Sequence, residues 1–179
     1  MHRVKYILAT IIFVSIFSMN AFALDFGVGA SAFMPTESEI YDYGYQVEAH
    51  MDFGLIPALV ETRISVSRYS ATGEDAGFDY ELSGYGGQAL VVLAPAIPIV
   101  KPYLGVGYGI YSNEETIDGH GIETTNDSIG HGPVVKAGLG ISILILDLSL
   151  DAQYYVNKGE DDDEDYSGYT VGLSAGISF

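Results

Sequence analysis

The clearest pattern in the chain is the alternation of apolar and small polar residues over its last segment, 168–179. The apolar positions are Tyr169, Val171, Leu173, Ala175, Ile177 and Phe179. The intervening positions hold only glycine, serine and threonine. Side chains two residues apart point to the same face of a β-strand. The pattern therefore predicts a strand with one apolar, aromatic face and one small, polar face.

Seven earlier segments alternate in the same way and predict seven more strands. They cover residues 24–34, 44–53, 58–69, 79–93, 99–111, 129–143 and 146–157. In the fourth segment the apolar residues change parity between Leu82 and Val91. We expect a β-bulge at Gly86-Gly87, because one extra residue reverses the facing of a strand and glycine suits that geometry.

The connections between these strands fall into two kinds that alternate along the chain. Residues 54–57, 94–98 and 144–145 are short and uncharged, whereas 35–43, 71–78, 113–128 and 158–165 are longer and acidic. Together with Asp79, the four longer connections hold 17 of the 24 acidic residues. In an up-and-down arrangement all four lie at one end, which is typical of transmembrane barrels with short periplasmic turns and longer external loops.

Alternation alone also fits a soluble β-domain, so three further features favour the membrane. The segments are long enough to cross a bilayer, which takes about 9–11 tilted residues. Their second face is rich in glycine and serine, which suits a narrow lumen. Aromatic residues also cluster at two levels, which predicts two interfacial girdles. The loop-end set is Tyr43, Tyr45, Tyr69, Tyr80, Tyr108, Tyr111, Tyr154, Tyr166 and Tyr169, and the turn-end set is Phe26, Phe53 and Phe179.

The pattern as a whole predicts an all-β fold, an eight-stranded antiparallel up-and-down transmembrane β-barrel over residues 24–179. Residues 1–23 are predicted to be a cleaved signal peptide, with Arg3 and Lys5 before an apolar run and Ala21-Phe22-Ala23 at the cleavage site. A retained anchor is the alternative, but the run is short for a membrane span.

Charge narrows the possible partners. Without Arg3 and Lys5, five basic residues remain against 24 acidic ones, a formal charge of −19. Nucleic acid is therefore excluded, because binding it requires a positive patch. The chain has no cysteine, which excludes a disulfide framework and thiol chemistry.

The sequence resembles the small eight-stranded outer-membrane barrels of diderm bacteria, of the OmpA transmembrane-domain and OmpX/Ail type. The most specific match is the apolar set of the last strand ending in Phe179. In that family such a strand is recognised by the outer-membrane assembly machinery. The resemblance implies that Tyr169, Val171, Leu173, Ala175, Ile177 and Phe179 form an assembly signal. It also implies that the protein is secreted, is bound by periplasmic chaperones, and is folded into the outer membrane by the barrel assembly machinery.

If the apolar faces contact lipid, nine charged or titratable side chains face the lumen: Glu48, His50, Asp52, Glu61, Arg63, Lys101, Lys136, Asp147 and Asp151. Counting from the short turns puts Asp52, Glu61, Lys101 and Asp147 in a lower layer and the other charged residues nearer the middle. Buried charges require partners, so we expect a salt-bridge network that plugs the lumen. The alternative is a gated pore or a proton-responsive site centred on His50.

The acidic run Glu160, Asp161, Asp162, Asp163, Glu164 and Asp165 raises the question of calcium, which binds carboxylate oxygens. The run lacks the spaced ligands of a calcium loop, so we expect a solvated loop and leave weak divalent-cation binding open. Enzymatic chemistry has little support. His50 is predicted to face inward, His120 lies in a glycine-rich loop, and His131 has no serine in a His-x-Ser arrangement.

We therefore expect a monomeric, non-enzymatic and cofactor-free protein with a structural or surface-interaction role. It would lie among outer-membrane lipid and lipopolysaccharide and offer its acidic loops to an extracellular ligand. A narrow pore or small-solute transporter resembling the OmpW type is the second hypothesis. A lipid A-modifying enzyme is the third.

Deletion of Phe179 should impair insertion into the outer membrane more than replacement of the acidic residues in one external loop. The reason is that the terminal aromatic residue belongs to the expected assembly signal, whereas the loops do not. The measurement is the amount of folded protein in the outer-membrane fraction. Normal levels of the deletion variant would remove Phe179 from the signal.

Overall fold

The structure is a computed structural model that describes residues 24–37, 40–56, 59–95, 97, 99–119, 122–159 and 165–179. The predicted signal peptide, 1–23, lies outside the described residues, as do most of the acidic run 160–165 and His120. Within the described ranges, no helix is long and apolar enough to cross a membrane.

Eight strands form one closed antiparallel ring, which confirms the predicted up-and-down barrel. They are β1 (Leu24–Pro35), β2 (Gly44–Ile56), β3 (Val60–Asp75), β4 (Phe78–Leu93), β5 (Val100–Gly119), β6 (Ile122–Ile143), β7 (Leu146–Tyr155) and β8 (Gly168–Ser178). The first and last strands pair from Asp25–Ser178 to Pro35–Gly168. Closure lets the backbone groups of the first and last strands hydrogen-bond to each other, which is necessary in lipid because acyl chains offer no hydrogen-bonding groups.

The expected bulge at Gly86-Gly87 is wrong. Strand β4 pairs with β3 and β5 in an unbroken register through both glycines. Alternation is also continuous, with Leu82, Leu90 and Val92 buried inside the barrel. The change of parity in the sequence arises because β4 has apolar residues on both faces, not because its facing reverses.

Two of the predicted external loops are largely strand. Residues 71–78 shrink to the turn Ala76-Gly77, and the connection at 113–128 shrinks to the two residues between Gly119 and Ile122. Ala76 and Gly77 have φ values of 52° and 83°. Positive φ at both central residues is what a tight type I′ hairpin requires. The strands β3 to β6 therefore form two long hairpins, which are joined by the pairing of β4 with β5.

The outward face of the barrel is apolar, and part of the predicted girdles lies on it. Tyr43, Tyr45, Tyr108, Tyr154 and Tyr169 are exposed, as are Phe26 and Phe179. Four tyrosines placed in the loop-end girdle are not on this face: Tyr69, Tyr111 and Tyr166 are buried, and Tyr80 packs against the buried core. Tyr69 and Tyr111 share the inward parity of Arg63 and Lys101, and parity decides the face whatever the height along the strand.

Candidate functional site

The interior of the barrel contains all nine charged or titratable residues expected there. At the short-turn end, Lys101 Nζ lies 2.8 Å from Glu61 Oε1 and 3.9 Å from Asp25 Oδ2. Asp25 was missing from the predicted set, although it shares the parity of the inward Gly27. This lowest layer is partly accessible, since the Lys101 side chain is 31% exposed.

Above this layer, Arg63 and Asp52 form a buried two-point contact. Arg63 Nε donates to Asp52 Oδ1 and Nη2 donates to Oδ2, both at 2.7 Å. The guanidinium also lies 5.1 Å from the centroid of the Tyr103 ring. The two residues face each other directly across β2 and β3, so they belong to one layer rather than to the two layers predicted.

A second buried pair joins opposite sides of the barrel. Lys136 Nζ donates to Glu48 Oε1 at 2.6 Å, and His50 Nδ1 lies 3.4 Å from the same oxygen. Lys136 on β6 and Glu48 on β2 are 88 residues apart in sequence. This contact therefore spans the lumen and links the two halves of the ring.

The remaining carboxylates are held by hydroxyl groups. Asp147 accepts hydrogen bonds from Ser142 and Ser178, and Asp151 accepts one from Ser149 at 3.1 Å. Among the described residues, the interior thus has six carboxylates and three cations, with His50 beside them. The carboxylates are Asp25, Glu48, Asp52, Glu61, Asp147 and Asp151, and the cations are Arg63, Lys101 and Lys136. Serine hydroxyls thus donate hydrogen bonds to carboxylates that have no cation as a partner in the described part of the chain, where we had expected ion pairs.

The external half of the lumen is filled by four aromatic side chains that we call the aromatic plug: Phe33, Tyr69, Tyr111 and Tyr155. None of the four is more than 1% exposed. Tyr155 stacks on Phe33 and Tyr111, with centroid distances of 5.9 and 5.0 Å, and Tyr69 packs edge-on to Phe33 at 5.4 Å. The glycine- and serine-rich lumen expected from the sequence is therefore only part of the interior.

Two buried asparagines connect the aromatic plug to the strands above it. Tyr69 donates its hydroxyl hydrogen to Asn113 Oδ1, and Asn157 Nδ2 donates to the same oxygen at 2.8 Å. Asn157 is fully buried and Asn113 nearly so. These bonds satisfy polar groups that would be costly to leave unpaired in such an interior.

The interior cavities lined by described residues include two of water size. One of about 50 Å³ lies at the short-turn end between Asp25, His50, Arg63 and Lys101. Another of about 20 Å³ lies beside Glu48 and Lys136. A single water needs roughly 10–15 Å³ on this measure, so each holds a few waters at most.

Residues of the connection between β1 and β2 lie over the external mouth of the barrel. Tyr41 is buried there, donates to the Glu115 carboxylate and packs edge-on to Tyr80 at 6.3 Å. The backbone N–H of Asp42 donates to Thr72 O at 2.8 Å, which fixes the connection to β3. Burial, reinforced by the hydrogen bond to Glu115, raises the pKa of Tyr41.

The external parts of β3–β4 and β5–β6, which we call the acidic hairpins, contain no lysine or arginine over 70–83 and 112–130. Their acids are Glu74, Asp75, Asp79, Glu81, Glu114, Glu115, Asp118, Glu123 and Asp127. Several lie directly opposite one another, as Glu74–Asp79 and Asp118–Glu123 do. Facing like charges destabilise a sheet, so the hairpins retain repulsion that folding alone would not favour.

One external ion pair lies beside the acidic hairpins. Lys158 Nζ is 3.5 Å from Asp165 Oδ2, and both side chains are partly exposed. Burial raises the pKa of Asp165, but hydrogen bonds from the Ser167 hydroxyl and N–H, together with Lys158, outweigh it and lower the pKa overall.

The remaining candidates for chemistry are isolated. His131 faces outward and its Nδ1 lies 2.7 Å from the Tyr108 hydroxyl, with the two rings stacked. That pair involves no serine hydroxyl. Within the described ranges, no group of three or more His, Cys, Asp or Glu is arranged to hold a metal ion. Of the acidic run, only Asp165 falls among those residues.

The sequence matches the outer membrane protein beta-barrel domain family over residues 9–179. Solved structures with the same fold include Neisserial surface protein A and Ail of Yersinia pestis. Each is 16% identical, with 88% of this chain and 97% of the other covered and a TM-score of 0.57. Ail has also been solved with the heparin analogue sucrose octasulfate. The outer membrane enzyme PagL matches at 14% identity and a TM-score of 0.53, with 86% and 98% covered. No curated protein sequence matches the chain.

Replacement of Lys136 with methionine should destabilise the folded barrel by about 3–5 kcal/mol, because Glu48 would stay buried without its cation. The matched control is Lys158→Met, which breaks an exposed pair and should cost at most about 1 kcal/mol. Urea unfolding in detergent micelles, followed by far-ultraviolet circular dichroism, measures both changes.

A double variant, Glu48→Gln with Lys136→Met, should recover part of the lost free energy of unfolding, because it removes the unpaired charge. Equal losses for Lys136→Met and Lys158→Met would contradict a stabilising role for the contact across the lumen.

Proposed function

We propose that this chain, which belongs to the outer membrane protein beta-barrel domain family, is a non-conducting surface-interaction protein whose acidic hairpins bind a cationic partner outside the cell. Two features support the proposal together: the interior side chains are buried, and the strands of the acidic hairpins are longer than a membrane span requires. We further propose that residues 1–23 act as a signal peptide for secretion and that the protein is a monomer.

The length of the hairpins supports a role outside the membrane. Strands β5 and β6 contain 20 and 22 residues, whereas about 9–11 tilted residues cross a bilayer. Beyond Ser112, β5 continues to Gly119, which adds roughly 20 Å at about 3.3 Å per residue. Pairing with β4 and β6 fixes these extensions in a sheet, so their charges occupy defined positions.

The sign of the charge indicates the class of partner. Opposite charges steer encounter and suppress wrong partners, so the nine carboxylates of the acidic hairpins favour a cationic surface. The ligand bound in the Ail structure, a heparin analogue, is a polyanion. We propose that this chain differs from Ail in that respect, because its external hairpins carry no lysine or arginine.

The competing functions have weaker support. A narrow pore or small-solute transporter would need a path through the aromatic plug and past the Arg63–Asp52 and Lys136–Glu48 contacts. A lipid A-modifying enzyme would need a nucleophile or base beside the bilayer, and His131 contacts Tyr108 instead of a serine. PagL is an enzyme on the same fold, but a shared fold does not carry an activity with it.

We also propose that the last strand is the assembly signal read by the barrel assembly machinery after delivery by periplasmic chaperones. Its apolar residues all face outward, and Phe179 packs edge-on to Phe26 with ring centroids 6.4 Å apart. This aromatic pair lies where β8 meets β1, the seam that closes the ring.

The folded protein should show no sustained conductance in planar bilayers, because the aromatic plug and the buried ion pairs fill its lumen. Tyr155→Ala should produce only brief current spikes, since it loosens the plug and leaves the charged layers below intact. Tyr154→Ala is the matched control, because that neighbouring side chain faces lipid. Sustained, resolvable channels in the unmodified protein would overturn the filled-lumen part of the proposal.

The surface role can be tested with a ten-residue lysine peptide and the protein in phosphatidylcholine nanodiscs. The triple variant Glu114→Gln, Asp118→Asn, Glu123→Gln should bind the peptide about tenfold more weakly, at about 0.5 kcal/mol for each exposed contact. The matched control is Asp161→Asn, Asp162→Asn, Asp163→Asn, which removes the same charge from another connection. Equal weakening in both would show general charge attraction and overturn the hairpin site.

A further inference from the structure

Arg68 is a basic residue on the outward face of a strongly acidic protein. It lies on β3 with its side chain exposed on the outward face, and its guanidinium is 5.4 Å from the centroid of the Tyr85 ring. Arg63, Lys101 and Lys136 are paired inside the barrel, and Lys158 pairs with Asp165. Among the described residues, no carboxylate lies within 4.0 Å of Arg68.

The height of Arg68 puts it near the external membrane surface. It lies eight residues along β3 from Val60, at the short-turn end, which is roughly 20 Å of height for a strand tilted by about 40°. The outward apolar band of such barrels is about 25 Å tall. Measured from Val60, the Arg68 backbone therefore lies just inside the external edge of this band, and its long side chain can extend to the lipid headgroups.

Beside Arg68, on the neighbouring strand β4 and one row closer to the short turns, the outward surface has a notch. Gly87 faces outward there and lies opposite Val66 on β3 and Ile110 on β5. A Cβ added at Gly87 would meet no atom within 4 Å, so the position opens onto free space. The resulting groove has a volume of about 450 Å³ and is lined by Val66, Tyr85, Gly87, Ile110 and Ile129, among others.

The groove and the arginine together have the chemistry of an anionic lipid site. Val66, Tyr85, Ile110 and Ile129 are 61–64% exposed, so they offer apolar surface to a chain that lies between them. Arg68, Tyr85 and the outward-facing Ser112 lie opposite one another on the next row towards the outside. Guanidinium groups bind phosphate through two parallel hydrogen bonds, and a serine hydroxyl adds a donor.

We propose that this groove binds one lipid A molecule of the outer leaflet, with a phosphate on Arg68 and an acyl chain over Gly87. Charge complementarity selects the occupant, because the exposed guanidinium of Arg68 contacts the Tyr85 ring but no carboxylate in the described ranges, and so it can bind an anionic group. The outer leaflet presents phosphorylated glycolipid at this height. The site rests on the membrane placement of the barrel and is independent of the acidic hairpins and their partner.

Native mass spectrometry of the mature protein in neutral detergent tests the site, with bis-phosphorylated lipid A as the probe. One lipid A should bind per barrel, and Arg68→Gln should weaken binding by about tenfold or more, as expected for a lost charge-assisted contact. Gly87→Leu should weaken it similarly by filling the groove. Gly87 has no positive φ and free space around it, so this variant should still fold.

The control variant is Ala152→Leu, which places the same leucine side chain on the outward face of β7, away from the groove. It should bind lipid A as the unmodified protein does, and heat-modifiable gel mobility verifies folding in each case. Equal binding of dephosphorylated lipid A would overturn the role of Arg68. Equal binding of phosphatidylglycerol would overturn the choice of glycolipid, and unchanged binding by Gly87→Leu would overturn the groove.

Discussion

Closure of a ring of eight strands in lipid is the constraint on which the rest of this structure depends. Each backbone N–H and C=O in the bilayer must be paired between strands, so no edge can remain open. Eight strands then fix a narrow interior that side chains must fill. The protein fills it in two ways, with charged and hydroxyl groups in the half near the short turns and with the aromatic plug in the half near the longer connections.

Glycine on the inward face is the counterpart of these large side chains. A Cβ at Gly84 would collide with the Tyr69 ring, and one at Gly168 would collide with Phe33. Inward glycines are thus the spaces into which aromatic rings pack, and they do not by themselves indicate an empty lumen. The same complementarity explains why a chain with 22 glycines can still have a densely filled interior.

Strand number, closure and the one-sided distribution of acids could be predicted from the sequence, because each follows from a period of two or from turn composition. Parity would also have placed Asp25, Tyr69 and Tyr111 inside. The facing of β4 was harder to predict, because Leu82 and Val92 lie on the inward face although they are apolar, as lipid-facing residues are. The Arg63–Asp52 pairing depended on the register between β2 and β3, which has an irregularity between Gly54 and Ile56 that no sequence pattern shows.

The distribution of positive charge connects the interior to the outer surface. Of the five basic residues between 24 and 179, three are used inside, where buried carboxylates would otherwise lack partners. Few remain to neutralise the external strands, so facing acids such as Glu74 and Asp79 keep their repulsion. The continuous ladder of β3 to β6 opposes that repulsion, because backbone pairing does not depend on charge. An ordered acidic surface at the loop end is therefore compatible with a fold that uses most of its cations within the barrel.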